Sequence, residues 1–120
     1  MVTIKSYTDY SQAQILSKIL PDESADMLFV YTTDLEGDEH YDINFRKNQP
    51  LFEDDICAWS LAALLSVIPQ VKLDSIKQYD KECWRCCAYF ASDWHNSDWC
   101  DNPVDACVAM IERLHELNLL

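Results

Sequence analysis

Glycine and positive charge are what this chain has least of. Its 120 residues include one glycine, Gly37, and four prolines. A phosphate-cradling loop, a dinucleotide turn or a flexible linker needs several glycines, so all three are excluded. Nine Lys and Arg stand against twenty-one Asp and Glu, a formal charge of −12. That sign repels a phosphate backbone and an anionic bilayer alike, so neither direct nucleic-acid binding nor membrane association is expected. Surplus carboxylates keep an apolar-rich domain soluble and favour protein partners that are basic or that themselves hold nucleic acid. No apolar run approaches the roughly 20 residues of a spanning helix. The opening residues, MVTIKSYTDYSQ, carry no targeting or lipidation signal. A cytoplasmic location is expected, where the six cysteines (Cys57, Cys83, Cys86, Cys87, Cys100, Cys107) stay reduced.

Apolar content of 49%, with four Trp, six Tyr and four Phe, excludes a disordered chain. The length suits a single compact domain over residues 1–120 with a real core. The most apolar stretch is Ile56–Ile68, ICAWSLAALLSVI, which carries no charge. Asp54 and Asp55 before it suit a helix N-terminus, and Pro69 after it stops propagation. The expectation is one core helix over 56–68, about 20 Å long and buried nearly all round.

The rest of the chain is patterned around that segment. Thr8 or Asp9 caps a first helix, with Gln12 reaching back and Ile15, Leu16, Ile19 and Leu20 as its apolar face. Pro21 ends it. Residues 25–33 read as a central strand, Gly37 as a tight turn, and 40–47 as a strand with Tyr41, Ile43 and Phe45 on one side. Residues 70–80 read mostly as loop. Residues 82–92 read as a strand and 94–100 as its hairpin partner, turning near Ser92 and Asp93. In the last helix Asp101 or Asn102 is the cap and Pro103 the first helical residue. Its core stripe is Val104, Cys107, Val108, Ile111, Leu114 and Leu117, followed by a packed Leu119–Leu120 tail. The order α-ββ-α-ββ-α predicts an α+β fold: an antiparallel sheet of two hairpins with three helices on one face.

The segments WSLAALLSVIP (Trp59–Pro69) and NPVDACVAMIERLHELNLL (Asn102–Leu120) resemble those of small uncharacterised proteins of gut Bacteroidales and their phages. The resemblance covers about a quarter of the chain and lies in packing helices. It implies a single-domain accessory protein of a phage or mobile element and supplies no functional residue.

Chemistry-bearing patterns are few. Cys83-x2-Cys86 with His95-x4-Cys100 has the ligand types of a Cys₃His zinc site. Its middle gap is long, a knuckle's glycines are missing, and a strand would point Cys83 and Cys86 to opposite faces. A reduced structural cluster explains these cysteines better, and no cofactor is expected. Asp34, Glu36 and Asp38 around Gly37 faintly resemble a calcium loop without its closing Glu; a solvated turn accounts for them. His40, His95 and His115 fall in no nucleophile signature, and no enzyme is inferred. Trp84, Tyr89, Phe90, Trp94 and Trp99 crowd into sixteen residues. Strand alternation leaves some of them exposed, giving a candidate interaction surface of Tyr89, Asp93, Trp94, Asp98 and Trp99.

Three functions follow as expectations. The first is a non-catalytic acidic interaction protein, with a homodimer through the wet sheet face or an edge strand as one arrangement. The second is a nucleic-acid mimic, its carboxylates standing in for phosphates in a basic groove. The third is a small zinc-binding module.

Overall fold

The computed structural model describes residues 5–46 and 55–120. Helix α1 spans Tyr10–Leu16, and β1 (Met27–Thr33) and β2 (Glu39–Phe45) form the first hairpin. Strand β3 (Ile56–Ala58) precedes helix α2 (Leu61–Val67). Then come β4 (Lys72–Gln78), β5 (Lys81–Phe90), β6 (Asp93–Asn96) and helix α3 (Pro103–Glu116). The α+β class holds, as do three helices interleaved with two hairpins. The hairpins fall in two antiparallel sheets instead of one, ordered β2-β1-β3 and β4-β5-β6. Among the described residues, no helix is long and apolar enough to cross a membrane.

Local chemistry starts α1 as its sequence predicts. Asp9 Oδ1 accepts from Gln12 N (2.8 Å) and Gln12 Oε1 accepts from Asp9 N (3.1 Å), a reciprocal capping box. The regular helix stops at Leu16, short of Pro21, and its buried residues are Ala13 and Leu16; Ile15, expected inside, is 43% exposed. Gly37 turns the first hairpin at φ +87°. Asp34 Oδ1 accepts from the backbone N–H of Glu36 and Asp38, both at 2.9 Å, so this carboxylate serves the turn.

The expected helix over 56–68 is corrected. Its first three residues add β3 to β1, and Ser60, not Asp54 or Asp55, caps the shorter α2 by accepting from Ala63 N at 3.2 Å. Asp55 precedes the strand, and Asp54 lies outside the described residues. The physical reason is two-sided burial. Cys57 packs into one core cluster and Ala58 into the other, so this strand has no polar face to interrupt the apolar run. Asp26 fixes the junction, accepting from Ser60 N at 2.9 Å and from Ser60 Oγ.

The loop expected over 70–80 is also corrected: Lys72–Gln78 is an edge strand paired along its length with β5. Its solvent exposure on both faces beyond Asp74 removes the hydrophobic alternation that marks a half-buried strand. Tyr79 and Asp80 make the β4–β5 turn at φ 52° and 61°, and Ala91 and Ser92 make the β5–β6 turn at 53° and 64°. Two consecutive left-handed residues define the hairpin turn whose twist matches the strands. The second turn lies one residue earlier than expected.

Helix α3 is the centre of the larger core. Asn102 Oδ1 accepts from Asp105 N (2.8 Å), Pro103 occupies the first turn, and Val104, Cys107, Val108, Ile111 and Leu114 are buried as predicted. Leu117 departs from the expected stripe and is exposed; Leu119 packs against the core while Leu120 stays exposed. α3 packs on β5 and α2 and touches α1.

A polar clip joins the N-terminal ends of α1 and α3. Lys5 Nζ donates to Asp105 Oδ1 (2.8 Å), Gln12 Oε1 (2.8 Å) and Asp9 Oδ2 (3.1 Å), while Gln12 Nε2 donates to Asp105 Oδ1 (2.8 Å). Partial burial opposes ionisation of Asp105, but hydrogen bonds from Lys5, Gln12 and Asn102 outweigh it and hold the carboxyl below its usual value of 3.8. A depressed carboxyl contributes stability that is complete above 3.8 and is lost as the pH falls through the lower folded-state value. Asp105→Ala is therefore expected to cost about 1 kcal/mol at pH 7, discounted for partial exposure. Urea melts should show the gap between variant and parent narrowing at pH 2. An equal gap at both pH values contradicts the ion-pair account of the clip.

Candidate functional site

The two faces of the second sheet have different fates. Leu73, Trp84, Cys86 and Ala88 join the core cluster beneath α3. The opposite face carries Lys72, Asp74 and Ile76 of β4, aligned with Cys87, Arg85 and Cys83 of β5; Trp94 of β6 aligns with Tyr89. Strand alternation alone makes this division.

Trp99 reaches the outer face through a bulge. Cys87 pairs with Asn96, but Trp84 bridges Cys100, so three steps along β5 are matched by four on the partner segment. One extra residue reverses which face the following side chains take. In unbroken register Trp99 would stand opposite Trp84, over the core; the bulge sets it beside Arg85 instead. Buried Ser97 secures the irregularity: its Oγ accepts from Cys86 N and donates to Asp98 O, each at 2.9 Å.

The outer face is thus two aromatic groups and an ion cluster. Tyr89 and Trp94 meet edge-to-face with centroids 5.2 Å apart. The Arg85 guanidinium lies 4.7 Å from the centre of the Trp99 ring. Arg85 Nη2 donates to Asp74 Oδ2 at 3.0 Å, and Lys72 Nζ stands 3.4 Å from Asp74 Oδ1. Cys87 Sγ donates to Asp74 Oδ2 at 3.5 Å. The Arg85 hydrogen bond is the main cause holding the Asp74 carboxyl below its usual range. The buried Nε of Arg85 has no hydrogen-bond partner among the described residues. Trp94 is 53% exposed, Trp99 41% and Ile76 43%, so three large apolar side chains face solvent on one side of a small sheet. A charge held over one ring, beside an uncovered aromatic pair, suits contact with another protein better than it suits chemistry.

Of the residues the sequence nominated for this surface, Tyr89, Trp94 and Trp99 share the face. Asp98 is exposed within the bulge. Asp93 is corrected: it pairs with Phe90 on the opposite face, at the strand end, and its Oδ1 accepts from Trp94 N at 3.1 Å. Asp74 and Ile76 escaped the sequence reading because β4 did; Arg85 lies within the strand expected over 82–92, but its place beside Trp99 depends on the bulge.

The nominated zinc donors are divided. Cys83 lies on the outer face, whereas Cys86 and His95 lie on the inner one, and Cys100 follows the bulge beside Trp84. No group of three or more His, Cys, Asp or Glu placed to hold a metal occurs among the described residues. Cys86 and Cys107 share the buried core, and the influence of Cys107 together with burial raises the Cys86 thiol's pKa. Burial is the leading cause that raises Cys87 and Cys100, and with the Asp22 charge it pushes Cys57 up to about 11. None of these four environments favours the nucleophilic thiolate. His40 stands 3.2 Å from Asp42 on the first hairpin, and exposed His115 contacts the Leu120 carbonyl at 3.1 Å.

Apart from that face, an open groove of about 610 Å³ lies between α1 and β3 and is lined by Gln14, Ile15, Asp22, Ile56 and Cys57 among others. The Cys57 thiol in its lining donates to Asp22 Oδ1 at 3.6 Å. Comparison with family models, with curated proteins and with solved structures returns no match.

Proposed function

We propose that this chain is a non-catalytic interaction protein and that the outer face of its second sheet is the contact surface for a protein partner. The observation that carries the reading is the bulge at Ser97–Trp99, which takes a tryptophan out of register with the core and sets it in solvent beside Arg85. A protein with no use for that face would gain by burying the ring. The −12 charge favours a basic partner and opposes a second copy of the chain. The resemblance of Trp59–Pro69 and Asn102–Leu120 to proteins of gut Bacteroidales and their phages supports an accessory role in a phage or mobile element.

With the partner in hand, Trp94→Ala is expected to weaken binding by about 2 kcal/mol, roughly thirtyfold, because exposed aromatics at the centre of an interface carry most of its energy. Stability should change by less than about 0.5 kcal/mol, since the side chain is half in water. Isothermal titration beside a urea melt separates the two effects. Unchanged affinity with an unchanged melt refutes the assignment of this face.

Nucleic-acid mimicry is the second reading, favoured by the first hairpin: Met27–Phe45 holds five carboxylates (Asp34, Glu36, Asp38, Glu39, Asp42) and no Lys or Arg. It requires a partner released by competing DNA and by salt; a complex indifferent to both excludes it.

A further inference from the structure

The chain's few cations are not spread evenly. Four of its nine Lys and Arg (Lys72, Lys77, Lys81, Arg85) lie in the β4–β5 hairpin, Lys72–Phe90. Only three of its twenty-one Asp and Glu (Asp74, Asp80, Glu82) lie there. The hairpin is not acidic, although the chain is. Register then sorts its charges: Lys72 aligns with Cys87, Asp74 with Arg85, Ile76 with Cys83 and Gln78 with Lys81. Lys72, Lys81 and Arg85 therefore stand on the outer face, while Lys77, opposite Glu82, stands on the other.

The carboxylates beside these three cations are already engaged. Asp74 lies between Arg85 Nη2 (3.0 Å) and Lys72 Nζ (3.4 Å), and Asp101 Oδ1 is 2.7 Å from Lys81 Nζ. Donors, by contrast, are left over. An ammonium and a guanidinium each carry more N–H groups than these contacts use. The Arg85 guanidinium is also held in place, 4.7 Å from the centre of the Trp99 ring, so part of its ordering cost is met before a partner arrives. An arginine laid on an aromatic ring presents the planar fork that matches a carboxylate. Ile76 and Trp94, exposed on the same face, add apolar surface.

Resting on the assignment of this face as a contact surface, we infer that it takes a short acidic segment of the partner protein. That segment presents Asp or Glu to Arg85 and Lys81 and apolar side chains to Ile76 and Trp94. Its shortness follows from the charge map. Most carboxylates of the chain lie outside the hairpin, and exposed charges more than roughly 10 Å away are largely screened. A short segment meets the local cations, whereas a long polyanion such as nucleic acid meets the carboxylates as well. A partner that is basic overall, as the −12 charge favours, meets this face through an acidic stretch.

The test uses the full chain and three nine-residue peptides in which Leu alternates with Glu, with Gln or with Lys. Amide and indole NMR shifts report where each one binds. The Glu peptide is expected to bind saturably and to move the signals of β4, β5 and the Trp99 indole. It should bind about tenfold more tightly than the Gln peptide. The Lys peptide should leave those signals unmoved. Arg85→Gln should remove the preference for Glu over Gln. Lys81→Gln, at an exposed side chain, should reduce it about threefold while the urea melt stays that of the parent. Equal binding of the Glu and Gln peptides on this face, tighter binding of the Lys peptide there, or a preference that survives in both variants overturns the inference and leaves the face a contact surface. No shift of these signals by any peptide at millimolar concentration overturns both.

Discussion

Leu114→Asp is expected to abolish cooperative folding. Leu114 lies in the last turns of α3, fully buried in the cluster that joins α3 to β5 and α2. The substitution removes an apolar side chain from that cluster and places a carboxylate among buried apolar residues. Loss of the leucine alone costs about 2–5 kcal/mol. An unpaired charge adds several more or must be neutralised at a cost in pKa. The sum reaches the roughly 5–15 kcal/mol that holds a domain of this size together. Two residues on, Glu116→Ala is expected to be silent within about 0.5 kcal/mol, because Glu116 is exposed and holds no ion pair among the described residues. Circular dichroism with a urea titration distinguishes the two variants. A sharp, parent-like transition for Leu114→Asp contradicts the assigned buried face of α3.

The second large effect is expected at Trp59, among the largest fully buried side chains. It stands between β3 and the cap of α2 and is held from three directions. Its N–H donates to Thr8 Oγ1 (3.1 Å), its carbonyl accepts from Thr8 N (3.0 Å), and its indole Nε1–H donates to Ser24 Oγ (2.9 Å). Trp59→Ala is expected to cost about 3–5 kcal/mol through the lost transfer energy and the cavity left behind. Trp59→Phe keeps most of the ring volume and loses the indole donor, so about 1–2 kcal/mol is expected. Denaturant midpoints at constant slope give both values. Equal, small shifts for the two variants mean the indole is not packed at this junction.

Local signals carried much of the fold, and non-local ones hid the rest. Asp9 with Gln12, and Asn102 with Pro103, act within four residues, so both helix starts were readable. So was the first hairpin, where Gly37 and the Tyr41–Ile43–Phe45 alternation agree. The segment at Ile56–Ala58 misled because a strand buried on both faces and a buried helix present the same uninterrupted apolar run. β4 was missed because an exposed edge strand need not alternate, and its turn uses Tyr79 and Asp80 in place of Asn-Gly. The face proposed for interaction was half legible. The aromatic crowding at 84–99 was visible, but which rings reach solvent depends on a register shift between β5 and Cys100 that no sequence spacing encodes.

The central claim is that the outer face of the second sheet meets another protein, and the most direct measurement is site-specific photocrosslinking in the cells that make this chain. A benzophenone amino acid is placed at position 94, at 76 on the same face, and at 116 on exposed α3 as control. One discrete adduct of the same partner from positions 94 and 76, absent from 116, is the expected result. No adduct from 94 and 76, or the same adducts from all three positions, contradicts the claim.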